Sequence, residues 1–251
     1  MPNAVDFRLL GATNNERGDL FTRLTSDLFF ALGYHNLRFD VHKSGREIDI
    51  QGVHRFEPRR LVAECKAHKE KIGGADTNKL LGVLTRERDK AGSTPVTGYF
   101  VSLSGFRETG IEQEHETSEQ TRVILIDGTR VIDELIGAKI VVSADIATEK
   151  AGHCAEQNGL IDAMLDGTEL FGHPLGYIWV VYYSLGKLRT HFALIHADGT
   201  PLAAAASSHV IQADKDCAGV LHSLTYLAPP IPAADREALA ERTMQRYRQW
   251  V

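Results

Sequence analysis

Charged residues interrupt two short runs of the chain that otherwise look like buried strands. The runs are GREIDIQG at 45–52 and LVAECKAHK at 61–69, and they place Asp49, Glu64 and Lys66 among isoleucine, leucine, valine and alanine. Burying an ionised side chain is costly unless the charge is paired or binds a metal ion. The pattern therefore restricts the chain to folds in which these strands bring their charges to one paired or metal-binding centre.

The composition is that of an ordinary globular protein. Of 251 residues, 43% are hydrophobic and 24% are charged, and this length allows one large domain or two of typical size. No run of 18 apolar residues occurs, and the N-terminal segment lacks the basic and apolar blocks of a secretory signal, so we expect neither a membrane span nor export. Three widely spaced cysteines, Cys65, Cys154 and Cys217, form no disulfide or zinc pattern and favour a reducing, cytoplasmic location.

The distribution of charge is more informative than its total. The net charge of −5 argues against unspecific affinity for nucleic acid. Residues 35–71, however, hold nine lysines and arginines against six aspartates and glutamates, and this basic segment contains the interrupted strands. Charge alone is equally compatible with a solvated surface that happens to be basic.

The spacing of apolar residues predicts an α/β arrangement in the first half of the chain. We expect helices at 15–32, 75–91, within 104–120 and at 129–137, and strands at 35–43, 45–53, 59–67, 96–103 and 122–128. The resulting order α-β-β-β-α-β-α-β-α is typical of a mixed β-sheet flanked by helices.

The second half of the chain has a different pattern. We expect a strand at 139–146, a helix at 149–165, and a strand meander at 176–211 with turns at Leu185-Gly186 and Asp198-Gly199. A terminal helix is expected at 233–251, after the PPIP segment. The sequence therefore predicts two domains, 1–138 and 139–251. The second is an α+β domain whose role in sensing, assembly or DNA recognition stays open.

Strand geometry predicts that the three charged side chains converge. Glu64 and Lys66 lie two residues apart and so share one face of their strand, whereas Cys65 points to the other face. A short loop at 52–60 allows the two strands to pair antiparallel, which brings Asp49 near Glu64. Two carboxylates and a strand carbonyl, which we assign to Cys65, suit Mg²⁺ or Mn²⁺. Lys66 beside such an ion could orient a water or neutralise charge on a phosphoryl group.

These residues resemble a known family. The arrangement GREIDI…LVAECK is similar to the D-x(n)-E-x-K centre of the PD-(D/E)XK nucleases, and the ordered neighbours are similar to those of Mrr-like type IV restriction endonucleases. The neighbours are Gly18 with Phe21, LGY at 32–34, VSLSGF at 101–106 and LIDG at 125–128. The resemblance covers residues 14–137.

The resemblance implies a restriction-endonuclease-like fold and a Mg²⁺-dependent endodeoxyribonuclease. Asp49 and Glu64 would then bind metal, and Lys66 would be the catalytic lysine. The family also implies a DNA substrate, a homodimer or larger homo-oligomer, and a role in bacterial defence against phage or foreign DNA. Such domains are often coupled to a nucleotide-binding switch. No P-loop pattern occurs here, so a switch would lie in a partner or in a fused segment outside this sequence.

The chain departs from the family pattern on its first helix. Mrr-like proteins commonly place a glutamate directly after the helix phenylalanine, where this chain has Thr22. Glu16 and Asp19, about one turn earlier, are the candidates for a carboxylate from that helix, although neither occupies the matching position. This departure leaves open an alternative, a catalytically weakened nuclease fold that binds DNA or protein.

Basic residues flank the predicted centre. Lys43, Arg46, His68, Lys69 and Lys71 are candidates for contacts with DNA phosphates, which fix position without reading sequence. Ordinary exposed charge explains each of them equally well when it is taken singly, and for Arg46 a solvated turn is the better interpretation.

Overall fold

The computed structural model describes residues 6–41, 48–116 and 122–229, and the chain divides into two compact units. The central unit is Phe21–Ala138, and the terminal unit joins Met1–Leu20 to Lys139–Val251. No helix within the described ranges combines the length and the apolar character that crossing a membrane requires.

The central unit contains a mixed five-stranded sheet in the order β2-β3-β4-β5-β6. Its strands are β2 (Tyr34–Phe39), β3 (Ile50–His54), β4 (Arg60–Lys66), β5 (Val96–Ser102) and β6 (Val123–Asp127). Antiparallel pairing joins β2, β3 and β4, and parallel pairing joins β4, β5 and β6. The helices are α1 (Asn14–Ala31), which crosses the division between the units, α2 (Gly74–Ala91), α3 (Glu108–Glu116) and α4 (Gly128–Gly137). The predicted element order and the restriction-endonuclease-like mixed sheet are confirmed.

Helix α2 packs closely on the middle of this sheet. Every residue of β5 is buried, as expected for a central strand in parallel pairing on both sides. Leu80 and Leu84 of α2 form one apolar cluster with Val62 and Phe100. A side chain at Gly98 would overlap Leu84, so this glycine allows the helix to approach β5. Because β4 lies beside β5, α2 covers the face of β4 that carries Val62 and Glu64.

The turn that follows β5 fixes the loop that follows β4. Ser104 Oγ donates a hydrogen bond to the Glu70 carbonyl at 2.6 Å, and the Ile72 N–H donates to the Gly105 carbonyl at 3.0 Å. Ser102 Oγ donates to the Gly105 carbonyl at 3.1 Å, which closes the turn itself. The VSLSGF segment therefore holds the chain just after Lys66 in place.

The terminal unit contains a second five-stranded sheet, in the order β1-β7-β8-β9-β10. Its strands are β1 (Asp6–Leu9), β7 (Met164–His173), β8 (Gly176–Leu185), β9 (Leu188–His196) and β10 (Thr225–Tyr226), and its helices are α5 (Ala144–Gln157), α6 (Ala204–Asp216) and a short 3₁₀ helix, Leu221–Ser223. The antiparallel meander β7-β8-β9 confirms the predicted hairpin at Leu185-Gly186. Nine of the ten residues of β8 are buried, so this strand forms the centre of the core.

The structure corrects three predictions, two for elements after residue 138 and one for the start of the first domain. The predicted strand at 139–146 is wrong, because Ser143 caps a helix that begins at Ala144, its Oγ accepting from the Ile146 N–H at 3.4 Å. The later part of the predicted meander is also wrong, since the alanine-rich segment forms α6. The first predicted domain began at residue 1, whereas the segment through Leu20 belongs to the terminal unit, because β1 pairs in parallel with β7. The terminal helix predicted at 233–251 lies outside the described residues.

Candidate active site

Asp49 reaches into the strand that carries Glu64 and Lys66. In the antiparallel β3–β4 pair, Ile50 lies opposite Ala63, so one further step places Asp49 opposite Glu64. Asp49 Oδ2 accepts a hydrogen bond from the Cys65 N–H at 2.7 Å. A side-chain carboxylate therefore takes the place of a main-chain acceptor at the end of this pairing, and the hydrogen bond fixes one oxygen of Asp49.

The ammonium group of Lys66 lies against both carboxylates. Lys66 Nζ is 2.5 Å from Glu64 Oε1 and 4.0 Å from Asp49 Oδ2. The side chain of Lys66 is 29% exposed, that of Glu64 26% and that of Asp49 16%, so all three are partly buried yet still open to solvent. Burial acts to lower the pKa of Lys66, but the charges of Glu64 and Asp49 outweigh it and hold this pKa above its usual value.

Cys65 separates the two charged residues and faces the opposite side of the strand. Its side chain is buried, and burial, followed by the charges of Asp49 and Glu64, raises the pKa of the thiol well above its usual value. The thiol therefore stays protonated and makes a poor metal ligand. The predicted contribution of Cys65, its main-chain carbonyl as a metal ligand, stays a prediction, whereas its N–H has a defined partner in Asp49.

The donor set fits a hard divalent cation that keeps part of its hydration shell. Asp49 and Glu64 offer carboxylate oxygens, and a lysine ammonium already lies against both of them. Throughout the part of the chain that the structure describes, no group of three His, Cys, Asp or Glu side chains is placed to hold a metal ion. A cation here would depend on water and substrate oxygens for the rest of its coordination, which is usual for Mg²⁺ and not for a structural zinc site.

Glu16, one of the two candidates for a helix carboxylate, has a structural role at the start of α1. Its Oε2 accepts from the N–H groups of Ala12 at 2.9 Å and Thr13 at 3.3 Å, while Thr13 Oγ1 accepts from the Glu16 N–H at 3.1 Å. This reciprocal arrangement is a capping box, which satisfies free N–H groups at a helix start. Asp19, the other candidate, is exposed, and Thr22, which stands where the family commonly has glutamate, is buried.

The predicted DNA-contacting residues fall into two groups. His68, Lys69 and Lys71 are exposed on the loop between β4 and α2, directly after the charged strand. Lys43 and Arg46 lie outside the described residues. The structure therefore places three of the five basic residues next to the centre in sequence and on the surface, and their contact with phosphate stays a prediction.

The sequence analysis missed Gly82 and Arg86, which line a groove beside the centre. This groove, of about 440 Å³, is lined by Glu64 and Lys66 and by residues of α2, among them Asn78, Lys79, Gly82 and Arg86. The signal was present in the sequence, because positions 79, 82 and 86 recur at helical spacing on the polar side of an amphipathic helix. Only the structure shows how far along α2 this groove extends.

Comparisons with known proteins give a family for the same part of the chain. Residues 14–135 match the Mrr_cat family model, described as a restriction endonuclease. Among solved structures, the chain is similar to one titled "Crystal Structure of Protein of Unknown Function AF1548", with a TM-score of 0.39 and 16% sequence identity over 57% of this chain and 78% of that chain. No curated protein matches the sequence.

Proposed function

Residues 14–135 belong to the Mrr-type restriction endonuclease family, and from this membership we propose that the protein cleaves DNA with the help of Mg²⁺ or Mn²⁺. The proposed centre consists of Asp49, Glu64 and Lys66. DNA as the substrate, the dependence on a divalent cation and the roles of the three residues are the steps that go beyond family membership.

The observation that carries the proposal is the convergence of three charges at the adjoining ends of β3 and β4, next to buried residues. Ile50, Ala63 and Cys65 are buried around them, while Asp49, Glu64 and Lys66 keep partial access to solvent. A purely structural ion pair requires neither a second carboxylate nor an adjoining groove. The arrangement supports a centre that exchanges its lysine contacts for contacts with a cation and a phosphate.

The chemistry to be catalysed is the hydrolysis of a phosphodiester. A water oxygen bonds to phosphorus, one phosphorus–oxygen bond to the sugar breaks, the departing oxygen takes up a proton, and a phosphate monoester remains. A divalent cation bound by Asp49 and Glu64 would polarise the phosphoryl oxygens and lower the pKa of a bound water.

The chain's own residues have distinct tasks in this proposal. The Cys65 N–H holds one oxygen of Asp49, which orients its carboxylate. Glu64 and Lys66 both line the groove, where they offer a carboxylate and an ammonium group. Lys66, as a hydrogen-bond donor with a positive charge, would hold the attacking water or offset the negative charge that develops on the phosphoryl oxygens.

Cleavage of supercoiled plasmid tests the proposal. The purified protein is incubated with Mg²⁺, Mn²⁺ or EDTA, beside the variants Glu64→Gln and Lys66→Met. We expect nicking or linearisation that requires the metal and falls by at least about 10²-fold in either variant, the usual cost of losing a group that stabilises the transition state.

A second Glu–Lys pair provides the control. Glu149 and Lys150 are also ion-paired, with 3.2 Å between Nζ and Oε1, but they lie exposed on α5 in the terminal unit. Glu149→Gln and Lys150→Met should therefore cleave like the wild type. Cleavage that survives in Lys66→Met would count against the proposed centre, as would cleavage in EDTA.

A second candidate function is a nuclease-fold module that binds DNA without cutting it. The observation in its favour is that the described residues supply only two carboxylates at the centre, with no third side-chain ligand. Binding of plasmid without cleavage under any of the metal conditions would support this module.

The family further suggests an assembly and a biological context, which we include in the proposal. Cutting both strands of a duplex needs two active centres, so we expect a homodimer or larger assembly on DNA. A role in bacterial defence against foreign DNA, in the cytoplasm and under the control of a partner or fused NTPase, follows from the family resemblance.

A further inference from the structure

The exposed side of α2 forms one wall of the groove beside Glu64 and Lys66. Lys79 and Arg86 line this groove from α2, together with Asn78. Positions 79 and 86 are seven residues apart, almost two full helical turns, so their side chains leave the helix on the same side. The groove thus continues from the charged strand ends along the length of α2.

The groove is rich in cations that the protein itself only partly neutralises. Lys79 Nζ lies 3.4 Å from Asp76 Oδ1, an exposed pair that contributes little. Arg86 is exposed, and among the described residues it has no hydrogen-bond or ion-pair partner. With Lys66, these residues give the groove three positive charges against the carboxylates of Glu64 and Asp76.

Gly82 leaves an open position between these two cations. Glycine is among the least favourable residues in a helix interior, so its presence there calls for a reason. A Cβ added at Gly82 would meet no atom within 4 Å, and the described packing therefore does not require a glycine. Gly98 is the opposite case, because a Cβ there would overlap Leu84. Gly82 lines the groove, and the described core does not require a glycine at this position.

We propose that this side of α2, with Lys79, Gly82 and Arg86, binds the sugar-phosphate backbone of the DNA strand that enters the centre. The inference rests on the proposed function and identifies how its substrate is held. Lys79 and Arg86 are about 10 Å apart along the helix axis, too far for one phosphate group to contact both residues at once. A strand therefore fits the spacing better than a single phosphate does, and Gly82 lets the strand lie close against the helix.

The charge part of the proposal is tested by binding in the absence of metal. Fluorescence anisotropy with a labelled duplex in EDTA, over a series of salt concentrations, compares the wild type with Lys79→Ala, Arg86→Ala and the control Lys150→Ala. Each groove variant should bind more weakly and lower the slope of log affinity against log salt by about 1, the value for one lost phosphate contact. The control removes the same charge from α5 and should leave the slope unchanged.

The glycine part is tested by a pair of matched substitutions. Gly152 in α5 also has no atom within 4 Å of an added Cβ, so Gly82→Ala and Gly152→Ala should both raise the melting temperature, by about 2–4 °C. Gly82→Gln should weaken duplex binding by roughly tenfold, because the strand is pushed away from the helix cations. Gly152→Gln should bind like the wild type. A structural role for Gly82 would instead lower stability and leave binding unchanged.

The outcomes separate this inference from the proposed function. If the slope falls in Lys79→Ala and Arg86→Ala but no metal produces cleavage, the groove binds DNA and the catalytic proposal fails. If cleavage depends on Glu64 and Lys66 but the groove variants bind and cut like the wild type, the inference fails alone. Absence of duplex binding by the wild type overturns it, as does tighter binding to an RNA duplex of the same sequence.

Discussion

Two aspartates, one in each unit, show how differently this chain uses a carboxylate. Asp214 in the terminal unit is fully buried, pairs with Arg8 at 2.9 Å and accepts from the Leu221 N–H at 2.9 Å. Any side chain at Gly219 would overlap it, so the surrounding chain closes around this group. Asp49 in the central unit is 16% exposed, and Lys66 Nζ lies 4.0 Å from its Oδ2 and 2.5 Å from Glu64 Oε1.

The difference separates a structural charge from a functional one. The protein supplies Asp214 with a counter-charge from Arg8 and a hydrogen bond from the Leu221 N–H, and the carboxylate is fully buried, so no ligand reaches it. The Asp49 site groups two carboxylates around one ammonium and remains open to a groove. Charged groups that remain accessible from a groove are what a cation or phosphate site requires. Three predictions for stability test this distinction.

The largest expected effect is the loss of the Asp214 charge. Asp214→Asn leaves the partly buried Arg8 without its counter-charge, and we expect the free energy of unfolding of the terminal unit to fall by about 3 kcal/mol or more. Both tryptophans of the chain, Trp179 and Trp250, lie after Ala138, so tryptophan fluorescence during urea unfolding reports on this unit. The exposed neighbour provides the control, since Asp216→Asn should change stability by less than about 0.5 kcal/mol. Equal effects of the two substitutions would contradict the structural role of Asp214.

A smaller, pH-dependent effect on the free energy of unfolding is expected from His173. Burial, reinforced by His209, lowers the pKa of His173 to about 4, and its Nδ1 accepts from the Leu175 N–H at 3.1 Å. Because the unfolded histidine binds a proton near its ordinary pKa of about 6.5, the stability of the terminal unit is complete above that pH. It is lost progressively as pH falls towards 4, by at most about 3 kcal/mol.

Urea unfolding of the wild type and His173→Asn between pH 7 and pH 4 measures this dependence. Asparagine keeps an acceptor for the Leu175 N–H but does not titrate in this range, so the variant should lose less stability on acidification. The same acid sensitivity in both proteins would show that another group is responsible.

The smallest stability effect is expected at the proposed centre. Asp49→Asn keeps an oxygen that accepts from the Cys65 N–H but removes one of two carboxylates, so we expect a change of less than about 1 kcal/mol in stability. The same variant should lose metal-dependent cleavage. Thermal unfolding of the wild type and the variant, followed by circular dichroism, checks the first expectation. A sharply lowered melting temperature would mean that Asp49 is a structural residue like Asp214.

Much of the central unit was predictable because its local signals agree with its packing. Helices α1, α2 and α4 and strands β4 and β5 follow the spacing of their apolar residues to within one or two positions. The prediction failed where local and long-range preferences disagree. Residues 139–146 have the apolar run of a strand, but Ser143 starts a helix there. Strand β1 has only four residues and forms because β7, far away in the chain, offers it an edge.

The candidate site shows the same limit. Alternation along β4 predicted that Glu64 and Lys66 share a face, and the short loop between β3 and β4 predicted that Asp49 comes near them; the structure brings the three together. The capping box of Glu16 was not predicted, because a carboxylate at a helix start can serve as a cap or as a metal ligand; its contribution to the centre stays a prediction. Gly82 and Arg86 were missed because the two walls of the α2 groove are separate in sequence and meet only through packing on β5.

The sequence by itself determined which residues are charged within apolar strands, and the two-residue period of a strand then decided which of them share a face. Only the tertiary structure decided that the Cys65 N–H holds Asp49, that α2 lines the groove with Lys79 and Arg86, and that β1 joins the terminal unit. The reason is how far apart in the chain the interacting residues are. Periodicity is a property of neighbouring residues, whereas grooves, strand partners and neutralised charges depend on which distant surfaces come together when the apolar core is buried.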